Sequence, residues 1–239
     1  MGMTVAIEVA GQNVPEKAFT DIFDYFTYID ATFSTYKETS EISRINRGKV
    51  SLEEFSEDMK TVFMLAEKTK QETSGYFDIT LRGKIDPSGI VKGWAIYNAA
   101  EMLANMGFKN FYVDAGGDIE TRGMNDAQEA WSVGIRNPFN PNEVIKILQL
   151  SDKGVATSGT YIRGDHIYNP KKEGPIEDIV SLTVIGPNVY EADRFATAAF
   201  EMGKEGIGFL EKLKGFEGYM INNTGIATMT TGFERYLKK

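Results

Sequence analysis

Asp193 and Thr197 stand four residues apart in EADRFATAAF, residues 191–200, a segment with helical patterning. That spacing brings a carboxylate and a hydroxyl onto one helix face. Two such hard oxygens can help hold Mg²⁺ while phosphates and water complete six positions. An Asp near a helix start and a Thr facing the core give the same spacing. On spacing alone, packing is the simpler account. The chain's one histidine, His166, lies in GVATSGTYIRGDHIYNP, residues 154–170, close to Arg163 and Asp165. Imidazole has the ordinary pKa best suited to proton transfer near neutrality. A neighbouring carboxylate could orient it, although a lone His among polar residues is often structural.

Two glycine-bearing segments add possible phosphate contacts. In DPSGIVKGWA, residues 86–95, Pro87 restrains its neighbour, Ser88 is placed to cap a helix, and Gly89 and Gly93 allow close backbone approach. Free N–H groups at such a helix start, with Lys92 in the first turn, suit a phosphate. Taken alone, the segment is more simply a capped helix with two packing glycines. AGGDI, residues 115–119, puts Gly116, Gly117 and Asp118 at a strand end. By itself that pattern reads as a turn.

Composition narrows the chemistry. The 239 residues are 42% hydrophobic and 25% charged, with no cysteine and a single His. Cysteine-ligated zinc, iron–sulfur clusters, disulfides and thiol nucleophiles are excluded, so any metal must sit among oxygen ligands. A net charge of −8 argues against nucleic-acid binding. No apolar run is long enough to span a membrane, so no membrane insertion is expected. The amino-terminal stretch lacks a secretory pattern and reads as a strand, which predicts a cytoplasmic protein.

The elements that must position these residues follow from periodicity. Residues 3–9 alternate like a strand. Phe19, Ile22, Phe23, Phe26 and Ile29 mark a helix over 15–32, a polar loop covers 33–48, and helices are expected near 52–73 and 90–106. Short strands then follow in FYVDAGGDIETRG, AWSVGIRNP, VIKILQLSDKGVATSG and DIVSLTVIGP. Helices near 190–202 and 205–214 precede a final strand pair that turns at 222–225. Without regular βαβ alternation the pattern predicts an α+β fold in one domain over 1–239, with mixed antiparallel strands and packed helices.

Taken together and in order, these segments resemble the ApbE family of FAD:protein FMN transferases. FSTYKETSEISRIN (33–46), TSGYFDIT (73–80) and SLTVIGP (181–187) are similar to family segments too, so the likeness runs from about residue 3 to the end. The resemblance implies a single ApbE-like, T-fold-like domain. It further implies that FAD binds in a cleft and that Mg²⁺ serves its pyrophosphate. FMN would pass to a Thr or Ser hydroxyl of an acceptor flavoprotein, with release of AMP. By motif, the metal ligands are Asp193, Thr197 and the backbone carbonyl of Val91, and His166 is the general base. Ser34, Tyr36, Lys92, Gly116, Gly117, Asp118, Thr157, Ser158, Gly159 and Tyr161 fall in the flavin-binding segments, with Tyr36 and Tyr161 as candidate stacking rings.

Two departures stand out. The segment HIYNP carries Asn169 where the family has an acidic residue, and the FDIT and GIVKG segments are separated only by LRGKIDPS, where many members carry an insertion. Hydrolysis of FAD to FMN and AMP on the same metal site is an alternative, as is a flavin-binding module without turnover.

Overall fold

The computed structural model describes residues 2–11, 13–81, 83–160, 168–169, 171 and 174–238. Apolar residues at helical spacing form α1, Glu16–Phe33, which buries Ala18, Ile22, Phe26, Ile29 and Phe33. Phe23, on the edge of that stripe, is exposed. Residues 33–48, expected as a loop, contain the short helix α2, Glu41–Asn46, capped by Ser40, whose Oγ accepts the Ser43 N–H at 3.1 Å. Six residues are too few to display a period, so only the cap could have signalled this helix.

A 3₁₀ turn at Leu52–Glu54 precedes α3, Glu57–Glu72, so the third helix starts later than periodicity suggests. Helix α4, Ser88–Asn105, buries Ile90, Val91, Trp94, Ala95, Ile96, Ala99, Ala100 and Leu103. This is a far wider face than one stripe, as expected of a helix enclosed on several sides. Ser88 is its first helical residue rather than its cap; Asp86 Oδ1 instead accepts the Ser88 N–H at 3.0 Å. Two further helices are α5, Val189–Glu201, and α6, Gly206–Leu210.

The strands in chain order are β1 (Val5–Val9), β2 (Thr80–Leu81), β3 (Lys84–Ile85), β4 (Phe111–Ala115), β5 (Asp118–Arg122), β6 (Trp131–Asn137), β7 (Asn140–Leu150), β8 (Lys153–Gly159), β9 (Tyr168–Asn169), β10 (Gly174–Pro175), β11 (Ile179–Gly186), β12 (Glu217–Asn222) and β13 (Ala227–Met229). Seven of them form one sheet in the order β1-β4-β5-β8-β11-β12-β13. Every neighbouring pair in it is antiparallel.

Side-chain alternation along these strands feeds two cores. Ala156, Val184 and Met220 face the helical side, where α5 and α6 contribute Phe195, Phe200 and Leu210. Their neighbours Val155, Ile185, Tyr219 and Ile221 face the other side, which the β6–β7 ribbon covers with Val133, Ile135, Leu148 and Leu150. A further cluster joins α1, α3 and α4 to β4. Helices on one face and a ribbon on the other of an antiparallel sheet make the α+β architecture. Among the described residues no helix is long and apolar enough to cross a membrane.

Candidate active site

Three contacts hold α5 at its amino end. Asn188 caps it by accepting the Glu191 N–H at 2.9 Å. Glu120 of β5 accepts the Val189 N–H at 2.6 Å. Gly154 of β8 lies so close that a Cβ there would meet the Val189 nitrogen at 1.9 Å, so only glycine fits. Arg194 locks the helix to α3: it is buried, bonds Glu191 at 2.5 Å, pairs with Glu72, and stacks 4.0 Å over the Phe195 ring. The next face of the helix carries Asp193 and Thr197.

Both residues meet the first turns of α4. The Gly93 N–H donates to Asp193 Oδ2 at 2.7 Å, and a Cβ at 93 would stand 2.6 Å from the Asp193 Cβ. Thr197 Oγ1 donates to the Gly89 carbonyl at 3.3 Å. Val91 lies between these two contacts in sequence and also lines the cleft. The spacing that sequence alone could not separate from packing therefore faces a cavity, with Asp193 itself only 3% exposed.

Lys92 sets the electrostatics. Its ammonium lies 2.6 Å from Asp118 Oδ2 and 3.7 Å from Asp193 Oδ1. Asp118 is held in turn by the Thr157 N–H at 3.1 Å, while its Oδ2 makes the ion contact without an aligned hydrogen bond. Two buried carboxylates thus share one ammonium. Burial pushes the Asp193 carboxyl above the usual range; Lys92 opposes this, and Asp118 adds to it. Among the described residues that line the cleft, carboxylates outnumber cations.

The cleft encloses about 770 Å³, within the range of cofactor sites. Ser34, Tyr36, Val91, Lys92, Gly116, Thr157, Ser158, Gly159, Asp193 and Thr197 all line it. Tyr36 stands 94% exposed, free to cover a flat ring. Asp118 adjoins through Lys92. Gly116 and Gly117 make the β4–β5 turn with φ of 66° and 94°, values that favour glycine. Of the two, Gly116 lines the cleft. His166 and Tyr161 lie outside the described residues.

Several lining residues are not among the site residues singled out from the sequence, although most lie in the segments 73–80 and 86–95 noted above. Phe77, Asp78 and Ile79 come from the loop into β2, Thr80 from the start of β2, Asp86 from the approach to α4, Ser88 from its first residue, and Glu201 from the end of α5. The signal that could have found Glu201 is its i+4 spacing from Thr197, the same interval that picks out Asp193.

A model of the ApbE family matches residues 1–83 and 81–220. The FAD:protein FMN transferase of Escherichia coli is 31% identical over 151 residues, covering 59% of this chain and 43% of that protein. The FAD:protein FMN transferase of Haemophilus influenzae is 25% identical over 255 residues, covering 80% and 74%. The solved flavin transferase ApbE of Vibrio cholerae superposes with a TM-score of 0.84 at 25% identity, over 99% of this chain and 96% of that one. Against the Escherichia coli protein, the match spans less than half of that relative's length.

Proposed function

Because the chain belongs to the ApbE family, we propose that its cleft binds FAD and that the site transfers the FMN half to a Thr or Ser hydroxyl of an acceptor protein. The names of the Escherichia coli and Haemophilus influenzae relatives support this reading. The observation that carries it is the placing of Asp193 and Thr197 side by side on the wall of a cleft, opposite the first turns of α4.

The donor set suits Mg²⁺. A carboxylate, a hydroxyl and the Val91 carbonyl are hard oxygens. Among the described residues no group of three His, Cys, Asp or Glu side chains could hold a metal alone. That fits a cation which takes its remaining ligands from substrate phosphates and water. When bound, Mg²⁺ neutralises charge developing on the pyrophosphate oxygens.

The chain's own residues supply position and proton transfer. Gly93 fixes the rotamer of Asp193, and Lys92, held between Asp118 and Asp193, adds positive charge near the phosphates. Tyr36 offers a ring to the isoalloxazine. Following the family resemblance, His166 accepts the proton of the attacking hydroxyl. The new bond joins that oxygen to the FMN phosphorus, the bridging P–O bond breaks, and AMP leaves with the bridging oxygen. A positioned base contributes about two to four orders of magnitude in rate.

The test is AMP release from FAD and Mg²⁺ with and without an acceptor. Release that requires the acceptor and matches flavin incorporated into it is the expected result. Equal release of AMP and free FMN without the acceptor would replace transfer by hydrolysis.

A further inference from the structure

The wall that carries Asp193 and Thr197 continues to a third polar residue. Glu201 is one more helical step along α5 and also lines the cleft. It is 9% exposed, and its Oε2 is shielded from water without a hydrogen-bond partner among the described residues. An unmatched buried carboxyl costs stability, and a native fold that retains one calls for an explanation. None of the described residues supplies a hydrogen-bond partner for this oxygen.

We propose that Glu201 is a specificity residue for the base end of the dinucleotide: its carboxyl group, on the cleft wall two helical turns beyond Asp193, reads the hydrogen-bonding edge of the adenine. This rests on the FAD reading above. Eight residues of helix separate Glu201 from Asp193, about 12 Å at 1.5 Å per residue. Pyrophosphate at the Asp193 end therefore leaves room for a ribose before the base reaches Glu201.

Local charge selects which end of FAD belongs here. Glu201 is the last residue of α5, where the helix dipole is negative. Asp78 adds a second carboxylate to the neighbourhood, itself paired with Lys70 at 2.7 Å. The flavin edge presents two carbonyls about a single N–H, so this negative potential favours it less. An edge bearing an amine beside a ring nitrogen is favoured. Burial first, and Asp78 second, push the Glu201 carboxyl well above the usual range. In its protonated form the carboxyl offers one O–H donor and one C=O acceptor, which complement the ring nitrogen and exocyclic amine of adenine.

Titrations of the parent, Glu201→Leu and Glu201→Gln with FAD, FMN and ADP, all with Mg²⁺, test this directly. Loss of the paired hydrogen bonds should weaken FAD and ADP binding by about tenfold or more in Glu201→Leu. FMN binding should stay unchanged. Glu201→Gln keeps a donor and an acceptor, so its affinities should follow the parent's.

Thermal melting of each variant reads the fold, and Glu201→Leu should melt no lower than the parent. Glu201→Met serves as the apolar variant if leucine does not pack. Parent-like binding of FAD and ADP by the apolar variant would overturn the proposal. So would an equal loss for FMN, which would assign Glu201 to the flavin end, or a glutamine variant as weak as leucine. If the parent itself binds no FAD, the flavin-transfer reading falls with it; if only the Glu201 effects are missing, that reading stands.

Discussion

The backbone N–H of Gly93 meets Oδ2 of Asp193 across 2.7 Å, and a methyl group at position 93 would stand 2.6 Å from the Asp193 Cβ. The first turns of α4 and the functional face of α5 are therefore built around a hydrogen atom in place of a side chain. This close approach, more than either residue alone, fixes where the Asp193 carboxylate sits.

Gly93→Ala should accordingly separate α4 from α5 or rotate Asp193 out of place. Overpacking of this kind costs about 1–3 kcal/mol. A lower melting temperature together with loss of Mg²⁺-dependent FAD binding is expected. A variant that binds FAD as the parent does would show that the contact is not needed for the site.

Arg194 next to Asp193 should matter for stability. Its guanidinium is buried while its partners Glu72 and Glu191 are partly exposed. Arg194→Met leaves Glu191 without this cation and Glu72 with only the more distant Lys68, at 3.8 Å. The expected loss is about 2–3 kcal/mol, under the figure for a fully buried pair. The urea midpoint measures it, and an unshifted midpoint would contradict the clamp.

Much of this site is legible in sequence, and the reason is spacing. Asp193 and Thr197 share a helix face, and Lys92 with its glycines opens another helix, so local chain geometry alone predicts their faces. Glu201 was invisible because a Glu at a helix end is ordinarily solvated. Only the tertiary fold shows it covered and facing the cleft. The capping role of Asp86 in place of Ser88, and helix α2 inside an apparent loop, were hidden for another reason: one cap and six residues carry no period. Nor does the pattern of residues 86–95 reveal that α4 is enclosed on several sides, since that depends on which elements pack around it.

Glu120 gives a pH dependence. Burial pushes its carboxyl from 4.5 up to about 7 in the folded chain, although the Val189 N–H and Arg122 oppose the rise. The folded state thus binds this proton more tightly than the unfolded one. Its contribution is fully present below pH 4.5 and is lost as pH rises towards 7, by about 3 kcal/mol at most. Melting of the metal-free chain should fall between pH 5 and pH 8, and Glu120→Gln should reduce that fall whatever its absolute stability. An identical fall in the variant would remove Glu120 as the cause.

His166→Ala should slow flavin transfer by about two to four orders of magnitude while leaving FAD affinity near the parent's. Single-turnover rates and FAD titration separate the two effects. An unchanged rate would take His166 out of the proton transfer.

The most direct measurement is the intact mass of an acceptor protein after incubation with FAD, Mg²⁺ and either the parent chain or Asp193→Asn. The parent should add one FMN to a Thr or Ser of the acceptor, and the variant, folded but lacking the carboxylate, should add none. An acceptor of unchanged mass with the parent, or equal flavinylation by the variant, would contradict a transferase centred on Asp193.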